Sequence, residues 1–296
     1  MAIPEAQLET WAKQGSVTQS QATYATVKSC LESSDAPYAG KSTSIFLQGS
    51  YGNNTNIYAD SDVDVVIMTD SIYYDDITGM TADEQAAYKS AFTKGSFSFD
   101  DFKAQVQTHL VKRFGSSVKP GNKAIFIQGN GARRDADVLV AVEHRCYTKF
   151  SSNSDRSYGS GICFWTTDRT KIVNYPKQHS ANCTYKHQMT SNWFKPGVRI
   201  LKNMRNAMVA AGYLKEGLAP SYFLEGMLYN VPNGSFGKTY EDTIVNALNW
   251  IINCDRTKLV CANEQYYLLH PSSPVTWRAE SLQTYLDSAV KFWKEW

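Results

Sequence analysis

Apolar and polar positions along this chain change period several times, and each change marks an element. Leu8, Trp11, Val17, Ala22, Ala25, Val27 and Leu31 predict one or two helices over residues 4–31. A polar stretch from Ser33 to Ser44 leads into the apolar run Ile45-Phe46-Leu47, a strand that closes on Gly49-Ser50. The Asn-rich run from Tyr51 to Ala59 fits a turn into a short helix, and residues 62–68 predict a second strand. Residues 81–93 and 100–113 read as helices, with Phe102, Val106, Leu110 and Phe114 at helical spacing and Gly115 and Pro120-Gly121 as punctuation. Ala124 to Gln128, a turn at Gly129-Asn130-Gly131, and Arg134 to Val142 predict a hairpin; Gly161 to Trp165 with Lys171-Ile172-Val173 predicts another. After about residue 188 helical spacing takes over, through Val198, Leu201, Met204 and Met208 and then the segments 220–230, 239–253 and 280–294. The predicted class is α+β: a mixed-sheet lobe with an N-terminal helix over 1–190, then a helical lobe over 191–296, with no low-complexity linker and no internal repeat.

Composition narrows the partners. With 296 residues and 43% apolar content, the chain can bury a large core. A net charge of +2 carries none of the basic excess that a long nucleic acid usually demands of its binder. No apolar run approaches membrane-spanning length, and Met1 to Ser20 has no apolar signal-peptide region, so a cytoplasmic protein is expected. Six cysteines without a paired CxxC spacing read as reduced thiols. His179, Cys183 and His187 recur every four residues, with His144 and Cys146 upstream, but zinc motifs have tighter paired spacing.

The chemistry concentrates at Gln48-Gly49-Ser50 and, after eleven intervening residues, Asp62-Val63-Asp64. Gly49 and Ser50 offer backbone N–H groups and a hydroxyl to phosphate oxygens. Strand residues two apart share a face, so Asp62 and Asp64 project together about 7 Å apart. Asp137, at the head of an apolar run, offers a third carboxylate; Asp135 shares its face and is the alternative. Three carboxylates suit two Mg²⁺ ions, with Mn²⁺ as a substitute. A lone Gly-Ser or DxD is uninformative, since a DxD commonly marks a solvated strand end. The joint order of strand, Gly-Ser, DxD strand and later strand aspartate is not. Lys195, Arg199 and Lys202 share one helical face, which by itself reads equally as a solvated basic surface.

With Asn174 to His179, Phe194 to Lys202 and Pro220-Ser221-Tyr222 added, that order resembles the DNA polymerase β-like nucleotidyltransferase superfamily. More narrowly, it resembles the bacterial cGAS/DncV-like nucleotidyltransferases (CD-NTases) over roughly residues 40–231. The resemblance implies an active site in the cleft between the two lobes. It implies metal binding by Asp62, Asp64 and Asp137, with Ser61 opening and Val66 closing the motif around the first two. It implies triphosphate contacts from Gln48, Ser50, Lys202 and Ser221, with Lys195 and Lys186 as reserves for Lys202, and base stacking on Tyr222, which could also be core. The implied activity joins NTPs (ATP, GTP or a pyrimidine NTP) into a cyclic di- or trinucleotide second messenger with release of pyrophosphate. The messenger would act in anti-phage (CBASS) signalling through a downstream effector that senses it. Nucleotide addition to RNA or a small acceptor is the alternative, opposed by the lack of a basic tail. A non-catalytic nucleotide sensor is a further one, opposed by the presence of all three carboxylates. The chain ends in Lys294-Glu295-Trp296, whereas family members conjugated through the C-terminus tend to end in a small residue, so conjugation is not expected.

Overall fold

The computed structural model describes residues 2–58, 62–93 and 95–296; Ser61 and Ala59, included in the sequence motifs above, lie outside them. In chain order the elements are α1 (Glu5–Ala12), α2 (Thr18–Leu31), β1 (Thr43–Leu47), α3 (Gly49–Asn53), β2 (Val63–Asp76), α4 (Ala82–Ala91) and α5 (Phe99–Phe114). There follow β3 (Val118–Pro120), β4 (Ile125–Ile127), β5 (Ala136–Phe150), β6 (Arg156–Trp165), β7 (Lys171–Asn174) and α6 (Pro176–Met189). The chain closes with α7 (Phe194–Ala210), α8 (Ser221–Tyr229), α9 (Tyr240–Asn253) and α10 (Ala279–Glu295).

Contacts divide the chain into two compact units. A sheet unit holds Val17–Gln48 and Ser61–Pro176; a helical unit holds Met1–Ser16, Gly49–Asp60 and Lys177–Trp296. The boundary expected at 190/191 therefore falls within the helical unit, which also takes in α1, α3 and α6. Two causes act: Ile3, Leu8, Ala12 and Cys183 share the buried apolar core of α7, and the segment after Ser50 is hydrogen-bonded to α7 and α8.

In the sheet unit, seven strands form one mixed sheet of order β1-β2-β5-β4-β3, with β6 pairing β5 and β7 pairing β6. Only β2 and β5 run parallel; the chain between them includes α4 and α5, as a parallel crossover requires. Capping boxes start both helices, Thr81 with Glu84 and Ser98 with Asp101. Val65, Val66, Ile67, Val138, Val140 and Val142 are buried, the near-continuous apolar pattern of strands covered on both faces. β2 runs eight residues beyond the expected end at Met68, across an irregularity between Thr69 and Tyr73 where exposed Asp70 and Ser71 break the apolar pattern.

In the helical unit, α7 is the central element: Val198, Leu201, Met204 and Met208 are all fully buried. Pro196 sits in its first turn, where a missing N–H costs nothing. Helix α6 was not expected from hydrophobic spacing, because its fully buried side chains are His179 and Cys183. The run after Ser50 also differs from expectation. The short helix comes first, and Asn54 to Tyr58 follow as an irregular segment in which Thr55 and Asn56 are completely buried. Among the described residues no helix is long and apolar enough to cross a membrane.

Leu201→Ala should cost about 2–5 kcal/mol of stability by opening a cavity at the centre of α7. A drop in the denaturant midpoint without a change in slope would show it; an unchanged midpoint would deny α7 that place.

Candidate active site

In the sheet unit the carboxylates converge because two strands begin together. The parallel register pairs Val63 with Ala136 and Asp64 with Asp137. Directly paired residues on adjacent strands project from the same face, with strands about 4.7–4.9 Å apart. Asp62 precedes β2 and is exposed, while Asp64 and Asp137 are half-buried. The Asp137 carboxyl is held above the usual range by burial first, then by the negative charges of Asp62 and Asp135. The Gln48 N–H donates to the Asp64 carbonyl at 3.0 Å, tying the end of β1 to the start of β2.

Asp135 is engaged differently. Its Oδ1 accepts the Gly129 N–H at 2.6 Å, which locks the turn between β4 and β5, and its carbonyl accepts the Val63 N–H at 3.0 Å. Asp137, and not Asp135, stands in register with Asp64.

The remaining predicted residues lie in the helical unit. Gly49 adopts φ +62°, a conformation that favours glycine, and turns the chain into α3 with Ser50 as its second residue. The Thr55 N–H donates to the Ser50 carbonyl at 2.9 Å. Lys202 is 0% exposed, and its Nζ donates to the Thr55 carbonyl at 3.1 Å. Arg199 donates to the carbonyls of Ala12 (2.5 Å) and Asn54 (2.9 Å), and Lys195 Nζ to Thr184 Oγ1 (3.2 Å). The basic face of α7 is thus no solvated surface: it holds neighbouring backbone from beneath. Lys186, the other reserve, donates to the Val231 carbonyl at 2.5 Å. Ser221 starts α8, and its Oγ accepts from Arg205 Nη1 at 3.3 Å. Arg205 was missed in the sequence reading, although its place one turn beyond Lys202 on α7 could have raised it. The Tyr222 ring stacks on the His179 ring, centroids 4.9 Å apart, and its hydroxyl accepts from Asn263 Nδ2 at 3.0 Å.

Glu225 joins these pieces and carried no sequence signal beyond its place in an apolar helix. It is 3% exposed and accepts from Asn53 Nδ2 (3.0 Å), Thr55 Oγ1 (2.5 Å) and His179 Nε2 (2.6 Å). Burial pushes its carboxyl up, but the donors His179 and Thr55 and the Lys202 charge bring it below the usual range. His179 and Cys183 do meet as the four-residue spacing allows, but with Glu225 and not His187: their ligand atoms lie within 4.8 Å of one another. His187 Nδ1 instead accepts the Lys195 N–H at 3.3 Å. Both Glu225 oxygens already accept hydrogen bonds, so the cluster reads as a polar network within the fold.

Residues 181–294 match the model of the cGAS/DncV-like nucleotidyltransferase C-terminal helical domain. Over 298 residues the chain is 35% identical to the cyclic UMP-AMP synthase of Rhodothermus marinus, covering 100% of this chain and 99% of the relative. It is 32% identical over 282 residues to a cyclic dipurine nucleotide synthase of Elizabethkingia meningoseptica, covering 93% and 94% of the two chains. The solved structure of a Rhodothermus marinus CdnE c-UMP-AMP synthase with Apcpp and Upnpp superposes with a TM-score of 0.89 at 34% identity, covering 99% of this chain and 97% of that one. The fold and the full-length identity define a nucleotidyltransferase with a mixed-sheet N-terminal part and a helical C-terminal part. The chain belongs to the cGAS/DncV-like nucleotidyltransferases, and within them to the CdnE type.

Crowded carboxylates give a signed prediction. Because the Asp137 carboxyl is raised in the folded state, its contribution to stability is fully present below the unfolded value of about 3.9 and is lost as pH rises through the folded value. Metal-free Asp137→Asn should therefore melt at or above the wild-type temperature at pH 7, and added Mg²⁺ should stabilise the wild type more than the variant. NTP turnover should fall about a hundredfold or more in Asp137→Asn and in Asp64→Asn, and much less in Asp135→Asn. The reverse ranking would transfer the role to Asp135. Lys202→Met should destabilise the fold by about 3–5 kcal/mol, because it strips the buried Glu225 of a nearby positive charge. A wild-type melting temperature in Lys202→Met would show that this charge does not matter to the fold.

Proposed function

We propose that Asp62, Asp64 and Asp137 hold two divalent cations, Mg²⁺ by preference, and that Gln48, Gly49, Ser50 and Ser221 bind the triphosphate of an NTP. Lys202 acts on the same triphosphate from beneath, through the segment that follows Ser50. Tyr222 stacks on a base. Enzymes of this family are typically metal-dependent, and the donor set here fits: Asp64 and Asp137 stand in register at the strand heads, and the Asp62 charge acts on Asp137, so oxygen ligands suited to hard cations come together. Cations bound there supply activation of the attacking hydroxyl and neutralisation of the leaving pyrophosphate.

The protein is a cyclic dinucleotide synthase. A sugar hydroxyl of one nucleotide attacks the α-phosphate of the second, and pyrophosphate leaves. The linear intermediate keeps one triphosphate. Its free hydroxyl then attacks the remaining α-phosphate, a second pyrophosphate leaves, and the ring closes. The chain's own residues position these groups; positioning and electrostatics carry such transfers. Stacking on an aromatic ring tolerates base identity, so Tyr222 can serve successive bases. The relatives differ in base choice, one joining UMP and AMP and another two purines, so the pair used here is a choice among ATP, GTP and pyrimidine NTPs. The product would signal in cytoplasmic anti-phage defence through an effector that senses it.

The observation that carries this reading is the Asp64–Asp137 register with the Asp62 charge acting on Asp137, in a chain that aligns end to end with a cyclic nucleotide synthase. Supplying the four NTPs singly and in pairs with Mg²⁺ should yield a phosphatase-resistant product with the mass of a cyclic dinucleotide. Only linear, phosphatase-sensitive products, or turnover that requires added RNA, would sink it in favour of RNA tailing.

A further inference from the structure

The segment Asn53-Asn54-Thr55-Asn56 is polar yet largely buried, and long-range partners hold it from several sides. Thr55 is bound at every polar atom: its N–H donates to Ser50 (2.9 Å), its hydroxyl donates to Glu225 (2.5 Å), and its carbonyl accepts from Lys202 (3.1 Å). The Asn53 amide donates to Glu225 (3.0 Å). The Asn56 side chain accepts from Gln14 (2.7 Å) and donates to the Gly15 carbonyl (3.1 Å). A loop kept for solvent contact would not bury these groups, since each must find a partner or cost free energy. The order is built to fix the backbone directly after Gly49-Ser50.

The same Glu225 oxygen that accepts from Asn53 accepts from His179, whose ring lies against Tyr222 with an interplanar angle of 22°. The triphosphate-binding turn and the stacking ring therefore meet at one carboxylate.

We propose that Glu225 is a positioning residue for the reaction: through Asn53 and Thr55 it sets the orientation of Ser50, and through His179 it sets the ring of Tyr222. Glu225 touches no substrate atom and acts only through these intermediaries. This rests on the roles given above to Ser50 and Tyr222, and the test separates the two.

Thr55→Val keeps the shape of the side chain and removes one donor to Glu225. Glu225→Gln keeps its size but places an NH₂ group toward the donors it faces. Both full-length proteins are checked for folding by thermal melting, then assayed for the KM and kcat of NTP turnover. Thr55→Val should raise KM roughly tenfold, with kcat changed less and a melting temperature still above that of the assay. Glu225→Gln should raise KM at least as much. If Glu225 stops folding when altered, Thr55→Val alone decides.

Non-additivity is the readout that a merely structural role would not move. If Thr55 acts through Ser50, the double variant Ser50→Ala/Thr55→Val should bind NTP no more weakly than Ser50→Ala alone. By the same logic, adding Glu225→Gln to Ser50→Ala/Tyr222→Ala should weaken NTP binding no further. Additive losses, or wild-type KM in Thr55→Val, would overturn the proposal while leaving Ser50 in place. Wild-type KM in Ser50→Ala would remove the triphosphate assignment, and the proposal with it. Zinc bound tightly to the purified protein and lost in Cys183→Ser would also overturn it, because Glu225 would then be a metal ligand.

Discussion

The parallel pairing of β2 with β5 is the constraint on which the sheet unit depends. Among the described residues it is the one parallel pairing in the sheet, and it needs the long connection that carries α4 and α5. Its register decides which side chains stand together at the strand heads. A shift of one residue would turn Asp137 to the opposite face and bring no carboxylate beside Asp64. One hydrogen bond ties the two strand heads directly, the Val63 N–H to the Asp135 carbonyl, while the Asp135 side chain closes the β4–β5 turn on Gly129. Asp135 thus stabilises the arrangement that Asp137 exploits.

Inside the helical unit a different interaction holds the fold together. Burying a carboxylate costs several kcal/mol, and a buried charge persists only with full pairing. Glu225 meets that condition with three hydrogen-bond donors and the Lys202 charge. An apolar replacement set could be as stable, so stability alone does not explain the choice. What polar pairing adds is a directional link: the Thr55 hydroxyl and carbonyl connect Glu225 and Lys202 to the backbone after Ser50, which an apolar contact would not do.

Legibility in the sequence followed periodicity. Strands β1, β2, β4, β5, β6 and β7 were readable as apolar runs bounded by turns, and α7 to α10 by their helical spacing, whereas β3, three residues long, was not. Strand spacing was the ground for expecting Asp62 and Asp64 on a common side, but β2 begins at Val63, so Asp62 stands just before the strand. α6 was not readable, since His179 and Cys183 are what it buries, and neither registers as an apolar stripe. The choice between Asp135 and Asp137 was not readable either: both share a face, and only the Gly129 contact and the Asp64 register separate them. The basic stripe on α7 was located correctly, but its surroundings depend on residues more than a hundred positions away, such as Asn54 and Thr55.

Both units therefore carry their costly electrostatics beside the residues assigned to chemistry, but they handle it in opposite ways. In the helical unit the buried charge is satisfied within the fold, which makes the segment after Ser50 rigid before any nucleotide arrives. In the sheet unit burial raises the Asp137 carboxyl, and the negative charges of Asp62 and Asp135 raise it further. A fold selected only for stability would separate Asp62, Asp64 and Asp137. Under the proposed metal assignment, a divalent cation beside Asp137 would offset the repulsion from Asp62 and Asp135, and the cost of that crowding would return as affinity for the metal. Under the proposed roles, the backbone fixed after Ser50 and the carboxyl held at Asp137 would each leave less reorganisation for the reacting nucleotides to drive, which is how preorganised electrostatics speeds phosphoryl transfer.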